Sequence, residues 1–258
     1  MAAGDLSGDR KSDIVFEDGS GRLLLWAMNG ATRDFAGLFL PDRLEDPNWR
    51  VAASGDFSQD AREDLVLQHS DGSLGIWFLN GTVRTSVGSL NPAHPGDGKW
   101  RLVAAADFDG DGNPDLLFQH ADGSLGIWLM EGTNFVSAAA LNPAHTGDSA
   151  WRAVGVGDFN GDRLPDLAFQ HEDGTLAVWL MDGLKLAASV LLNPGHPGDA
   201  RWRVVGVTDR NGDGKADLLF EREDDRSLAI WFMDGLRLGA AQLLNPLRAG
   251  SDWRVVAP

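Results

Sequence analysis

Short apolar runs of five to nine residues, rich in Val, Leu, Ile, Phe and Trp, alternate along the whole chain with Gly, Asp, Asn and Pro. No window is long enough for an amphipathic helix, so the runs predict strands bounded by turns. They recur in a fixed order: a segment of the form WRVVGVGDF, an acidic loop, DLLFQH, a DG turn, SLAIWLM, a second DG turn, and an apolar stretch ending LLNP. Each pass through this order predicts four strands.

The order is a strict internal repeat. Trp-Arg begins at Trp49, Trp100, Trp151, Trp202 and Trp253, always 51 residues apart, and Asp5, Asp56, Asp107, Asp158 and Asp209 keep the same step. Trp26, Trp77, Trp128, Trp179 and Trp231 follow it to within one residue, and the two Trp series use all 10 tryptophans. The expected fold is therefore all-β: a five-bladed β-propeller of four-stranded antiparallel blades, one domain over residues 1–258, because radial repetition leaves only short sheet edges. A solenoid is the competing architecture and would need capping repeats with a polar outer face. The terminal WRVVAP matches the start of the segment that Ala3–Asp5 enters, so the N- and C-terminal segments are expected to close the ring.

Composition narrows the function classes. With no cysteine, disulfides, thiolate metal sites and cysteine nucleophiles are out. The formal charge is −16, from 22 basic and 38 acidic residues, which opposes a nucleic-acid partner. No apolar run approaches the length of a membrane span, and Asp5, Asp9, Asp13 and Asp18 occupy the stretch where a signal peptide needs an apolar core.

Much of the acidity sits in one loop per unit. In the third unit it reads Asp107, Asp109, Asp111 and Asp115, oxygen side chains at positions 1, 3, 5 and 9, with Gly110 and Gly112 free to take left-handed backbone. Alternate residues of such a turn can enclose one hard cation, and carboxylates at this density suit Ca²⁺. The fourth unit offers Asp158, Asn160, Asp162 and Asp166, and the fifth Asp209, Asn211, Asp213 and Asp217. The first (Asp5, Asp9, Asp13) and second (Asp56, Asp60, Asp64) have Ser7 and Ser58 at position 3. The loop is not an EF-hand, since Phe118 stands where a bidentate Glu belongs. The alternative is that these residues only make Asx-turns on their own backbone.

GDFDGDGNPDLLF and GDFNGDRLPDLAF resemble the FG-GAP or VCBS-type propeller repeat, found in integrin α-subunit heads and in several fungal and bacterial lectins. The resemblance implies a propeller binding Ca²⁺ through the loops between first and second strands, and a secreted or cell-surface setting.

All six histidines fall in two motifs. His69, His120 and His171 end the second strand, and His94, His145 and His196 lie in the inter-unit segment. Up-and-down alternation places both motifs on the face opposite the acidic loops. The expected sugar sites there comprise Gln68, His69, Asp71, Asn91, His94, Asp97 and Trp100; Gln119, His120, Asp122, Asn142, His145, Asp148 and Trp151; and Gln170, His171, Asp173, Asn193, His196, Asp199 and Trp202. Amide, carboxylate and imidazole groups answer hydroxyls, and an indole answers the C–H face of a pyranose. The competing reading is structural: histidines capping turns and tryptophans in the core.

The first and fifth units depart from both motifs. A multivalent carbohydrate-binding protein with glycans as partners is the leading function. A protein-interaction propeller would use an asymmetric patch where the first and fifth units meet. A glycan hydrolase would have to recruit non-repeated carboxylates such as Glu17, Glu45, Glu221 and Glu223, and a bare repeat scaffold is the remaining alternative; the expectation is that the chain is not an enzyme.

Overall fold

The structure, a computed structural model, describes residues 4–257. Ala3, expected to enter the first unit, lies outside the described residues. Among those described there are twenty strands and no helix. The first unit supplies β1 (Ile14–Asp18), β2 (Arg22–Asn29) and β3 (Thr32–Arg43). The second supplies β4 (Trp49–Gly55), β5 (Asp64–His69), β6 (Leu74–Asn80) and β7 (Val83–Ser89). The third supplies β8 (Trp100–Ala106), β9 (Asp115–His120), β10 (Ser124–Glu131) and β11 (Asn134–His145). The fourth supplies β12 (Trp151–Gly157), β13 (Asp166–His171), β14 (Leu176–Asp182) and β15 (Lys185–Leu191). The fifth supplies β16 (Trp202–Thr208), β17 (Asp217–Arg222), β18 (Leu228–Asp234) and β19 (Arg237–Leu243), and β20 (Trp253–Ala257) follows.

Within a unit consecutive strands pair antiparallel, and β20 pairs antiparallel with β1, so the two ends of the chain share a sheet. Burial explains the apolar runs. The second strands are packed on both faces, with Asp115, Leu116 and Leu117 at 0% exposure, because each four-strand set is sandwiched between two others. Val15, Leu25, Leu65 and Trp77 join the first and second sets, and Val66, Ile76, Leu116 and Phe118 join the second and third. Further cores join third to fourth and fourth to fifth, and Phe16, Trp26, Leu219 and Ile230 join the fifth back to the first. Packing order is thus cyclic.

The sheets do not stay four strands wide, which corrects the expected blade pattern. They contain eight, eight and four strands, because the outer strands β3 and β7, and β11 and β15, meet through parallel bridges at Leu40↔Val83 and Asn142↔Lys185. The Leu40 amide donates to the Thr82 carbonyl (2.9 Å) and the Asn142 amide to the Leu184 carbonyl (3.1 Å). The same outer junction appears as isolated bridges Thr32↔Asn245, Asn91↔Asn134 and Asn193↔Arg237. One backbone contact per junction therefore fuses sheets that the side-chain pattern describes as separate.

Candidate functional site

The histidine loops form by cross-strand pairing about the acidic turn. Trp49 lies opposite His69, Trp100 opposite His120 and Trp151 opposite His171, with ring centroids 5.0, 4.9 and 5.0 Å apart. His69 Nδ1 is 2.8 Å from Asp71 Oδ1, and its Nε2 is 3.5 Å from Asp46 Oδ2. The next two loops repeat this with Asp97 and Asp122 around His120, and Asp148 and Asp173 around His171. Donation from the His171 ring to the Asp173 carboxylate raises the His171 pKa, aided by Asp148. The backbone amides of Ser73 and Ser124 hold Asp71 and Asp122 well below the usual carboxylate range, and the Thr175 amide lowers Asp173 to about 2.

The inter-unit histidines are spent locally. His94 Nδ1 accepts the Gly96 amide (3.1 Å), so its proton is on Nε2, which donates to the Asp71 carbonyl (2.8 Å). His145 and His196 do the same with Asp122 and Asp173. Each ring packs on a turn glycine: a Cβ on Gly72 or Gly174 would stand 2.7 or 2.5 Å from the imidazole, and both have positive φ.

The expected sugar sets are therefore regrouped. His69, Asp71 and His94 come together, but Asp97 and Trp100 belong with His120, and likewise Asp148 and Trp151 with His171. Asp199 and Trp202 meet Arg222, which replaces a histidine; Asp199 lies 3.6 Å from it. Asn91, Asn142 and Asn193 lie at the outer-strand bridges. Gln68, Gln119 and Gln170 are buried, and each clamps the next unit: Gln68 Nε2 donates to the Trp100 carbonyl (2.8 Å) and its Oε1 accepts the Leu102 amide (3.1 Å). Gln119 and Gln170 repeat both bonds. A buried amide with both ends engaged does not face a ligand, which removes the three glutamines from the sugar sets. The sequence reading missed Asp46 and Trp49, although both stand 51 residues before a named partner.

A groove of about 210 Å³ lies between the first and second units, walled by Trp49, Trp77, Leu44, Val87, Glu45 and Arg84. The Arg84 guanidinium is 4.7 Å over the Trp77 ring and 3.2 Å from Glu45 Oε1. Gly75 keeps the floor open beside the Trp49 ring. In the third unit the position of Arg84 is Phe135, which packs edge-on against Trp128 at 5.1 Å.

In the acidic loops the first Asp gathers the turn. Asp107 Oδ1 accepts the amides of Gly110 and Asp111 and its Oδ2 that of Gly112. Asp5, Asp56, Asp158 and Asp209 accept equivalent amides. Asp115 anchors the far side, accepting the amides of Phe108 and Met130, as Asp13, Asp64, Asp166 and Asp217 do in their units. Burial raises Asp13, Asp115, Asp166 and Asp217 to about 6, and neighbouring aspartates add to it.

Asp107, Asp109 and Asp115 place carboxylate oxygens within 4.8 Å of one another, a cluster that could hold a metal ion and the one such group of acidic side chains among the described residues. Asp111, expected as a ligand, instead accepts the amide and side-chain N–H of Asn113. The other loops lack a third carboxylate at position 3. Asn160 and Asn211 stand there in two and donate to Asp162 and Asp213, while Asp9 and Asp60 accept the amides of Lys11 and Arg62.

Comparison with known proteins places this geometry. No curated protein sequence matches the chain. Among solved structures it is similar to the Tc holotoxin pore of Photorhabdus luminescens (16% identity, TM-score 0.48, covering 90% of this chain and 12% of that one). It is also similar to the Dos1 propeller (11% identity, TM-score 0.40, covering 90% of this chain and 62% of that one). The chain thus spans less than two thirds of either. The family description "FG-GAP-like repeat" matches residues 56–118, 107–169 and 158–220, overlapping windows that run through more than half of the sequence and each contain two acidic loops. The chain belongs to the FG-GAP-like repeat family.

Proposed function

We propose that the chain is a single five-bladed β-propeller, extending over residues 1–258, that binds carbohydrate without catalysing a reaction on it and holds Ca²⁺ in its acidic loops. The cyclic packing of five four-strand sets supports the blade count. The hard carboxylate oxygens of Asp107, Asp109 and Asp115 fit Ca²⁺, whose charge would offset the crowding of anions there. Asp158, Asp162, Asp166, Asp209, Asp213 and Asp217 would serve the next two loops with Asn160 and Asn211.

The observation that carries the sugar reading is the groove beside Trp49. It has room for one small ring, an indole for the apolar face of a pyranose, and a fixed carboxylate–guanidinium pair to accept from and donate to hydroxyls. Glu17, Glu221 and Glu223 lie within ion-pair distance of Arg254, Arg226 and Arg203, and Glu45 of Arg84. A glycan array tests the proposal: sugar-inhibitable binding that is lost in Glu45→Ala and Arg84→Ala, with melting temperature retained, supports it, and a blank across a broad array sinks it.

One observation favours a protein partner as second reading. Phe35, Leu38 and Leu40 on β3 and Val83 and Val87 on β7 are 44–65% exposed on adjacent strands, an apolar strip of the kind that marks interaction sites. It lies between the first and second units, not where the first and fifth meet.

A further inference from the structure

The repeated Trp-Arg dipeptide does more than supply the tryptophans. Arg50, Arg101, Arg152, Arg203 and Arg254, one from each unit, line a single cavity of about 780 Å³ bounded by the first strands β4, β8, β12 and β16 and by β20. Its inner limit is an apolar collar. Ala52, Val103, Val154 and Val205 sit at the register shift that interrupts each first strand, and they also line the cavity beyond, as Val256 does. In a chain of net charge −16, five guanidinium groups are thus gathered at one place.

Their charges are only partly answered. Arg203 Nε is 2.7 Å from Glu223, and Arg254 is 3.4 Å from Glu17. Arg101 donates to neutral groups, the Gln119 side-chain oxygen (3.1 Å) and the Ala153 carbonyl (2.7 Å). The guanidinium groups of Arg50 and Arg152 make no hydrogen bond or ion pair among the described residues, although the Arg50 charge acts on Glu17. Burial pulls Arg101 down to about 10, and the charges of Arg152 and Arg50 act in the same direction. Glu172 also lines the cavity, alongside His171. Replacing Arg50 or Arg152 would remove no side-chain hydrogen bond among the described residues, and the ring repels itself as it stands.

We propose that this cavity is a binding site for a compact polyanion, a small molecule carrying several sulfate or phosphate groups, held by Arg50, Arg101 and Arg152. Guanidinium matches tetrahedral oxyanions bidentately, and a cleft with five arginines against Glu172 and Glu223 keeps an excess of positive charge that concentrates anions. The volume falls in the range of small-molecule pockets, roughly 300–1,000 Å³. This site is independent of the groove beside Trp49 and needs no neutral sugar.

Inositol hexasulfate is the probe, titrated calorimetrically into the full chain with Ca²⁺ present, beside neutral inositol and inorganic sulfate. The wild type is expected to bind one equivalent, more tightly than sulfate, with affinity falling as salt rises. Joint Arg50→Gln and Arg152→Gln replacement should weaken it about a hundredfold. Joint Arg62→Gln and Arg237→Gln replacement, the same charge change elsewhere, should leave it within about threefold. Melting curves guard against misfolding: relief of repulsion predicts a Tm for the Arg50/Arg152 variant no lower than wild type. Absence of saturable binding by the wild type, or equal weakening by both double variants, would overturn the proposal.

Discussion

The histidine loops and the groove beside Trp49 lie close together and differ in kind. In the loops the histidines are answered by neighbouring groups: His94 has both nitrogens engaged, and His69 sits between Asp46 and Asp71 against Trp49. This arrangement occurs three times. The Glu45–Arg84 pair occurs once among the described residues: Arg33 stacks over Trp26 in the first unit, but Ala249 stands in the place of Glu45 there, and Phe135, Leu186 and Leu238 replace Arg84 in later units; the pair is exposed on the Glu45 side. Of these two regions, the repeated histidines are engaged within their own loops, whereas the groove proposed for sugar lies where the repeat is broken.

A second break sharpens the same contrast. Gln68, Gln119 and Gln170 each give a donor and an acceptor to the next unit; the same slots in the first and fifth units hold Glu17 and Glu221. Each glutamate accepts the corresponding amide, from Val51 and Val255, but one oxygen of each is buried without a partner. Only a protonated carboxyl supplies the missing donor.

The largest effect should come from breaking a complete clamp. Gln119→Ala strips partners from the Trp151 carbonyl and Ala153 amide and should cost about 2–4 kcal/mol in chemical denaturation while leaving ligand binding unchanged. A smaller loss than about 1 kcal/mol would show that the clamp is dispensable.

Next in size is the seam. Burial raises Glu221 to about 7 and outweighs Arg226 and Arg254; Glu17 is raised too, facing Arg254 and Arg50. The folded state therefore holds these protons more tightly than the unfolded chain, whose value is near 4.5. Their stabilising contribution is full below about pH 4.5 and is lost as pH rises towards 7. Glu221→Gln should remove that loss and stabilise the protein by about 2–3 kcal/mol near pH 8, with little change near pH 4. A pH-independent difference between variant and wild type would refute the seam account.

Cation binding ranks third. Ca²⁺ at ten times its Kd should add about 1.4 kcal/mol per occupied loop, and a chelator should reverse the gain. Asp109→Ala should abolish the share of the third loop; a melt indifferent to both treatments would mean that the loops are Asx-turns alone. Smallest is backbone strain. Position 6 of the loop has positive φ in every unit, at Arg10, Ala61, Gly112, Arg163 and Gly214. Ala61→Gly should therefore stabilise by about 0.5–1 kcal/mol, and Gly112→Ala should destabilise by a similar amount.

Strand positions and the acidic loops were legible in the sequence because each depends on spacing within one unit, and the cyclic order because WRVVAP repeats the start of a unit's first segment. The tryptophan roles were half legible. Trp26, Trp77 and Trp179 are core, as their mid-strand setting among apolar neighbours allowed, but the sequence motif groups His69 with Trp100, 31 residues downstream. The partner of His69 lies 20 residues upstream, because Trp49 and His69 are equidistant from Gln59 at the centre of the turn. The fused sheets, the groove and the arginine ring combine different units, and no spacing within one unit reports them.

The most direct test of the central claim, that the unrepeated groove takes the ligand, is a crystal structure of the Ca²⁺-loaded protein soaked with a sugar selected on the glycan array. The account predicts ordered density against Trp49, within hydrogen-bonding distance of Glu45 and Arg84. Density at His94, His145 and His196, with the groove holding solvent, would contradict it.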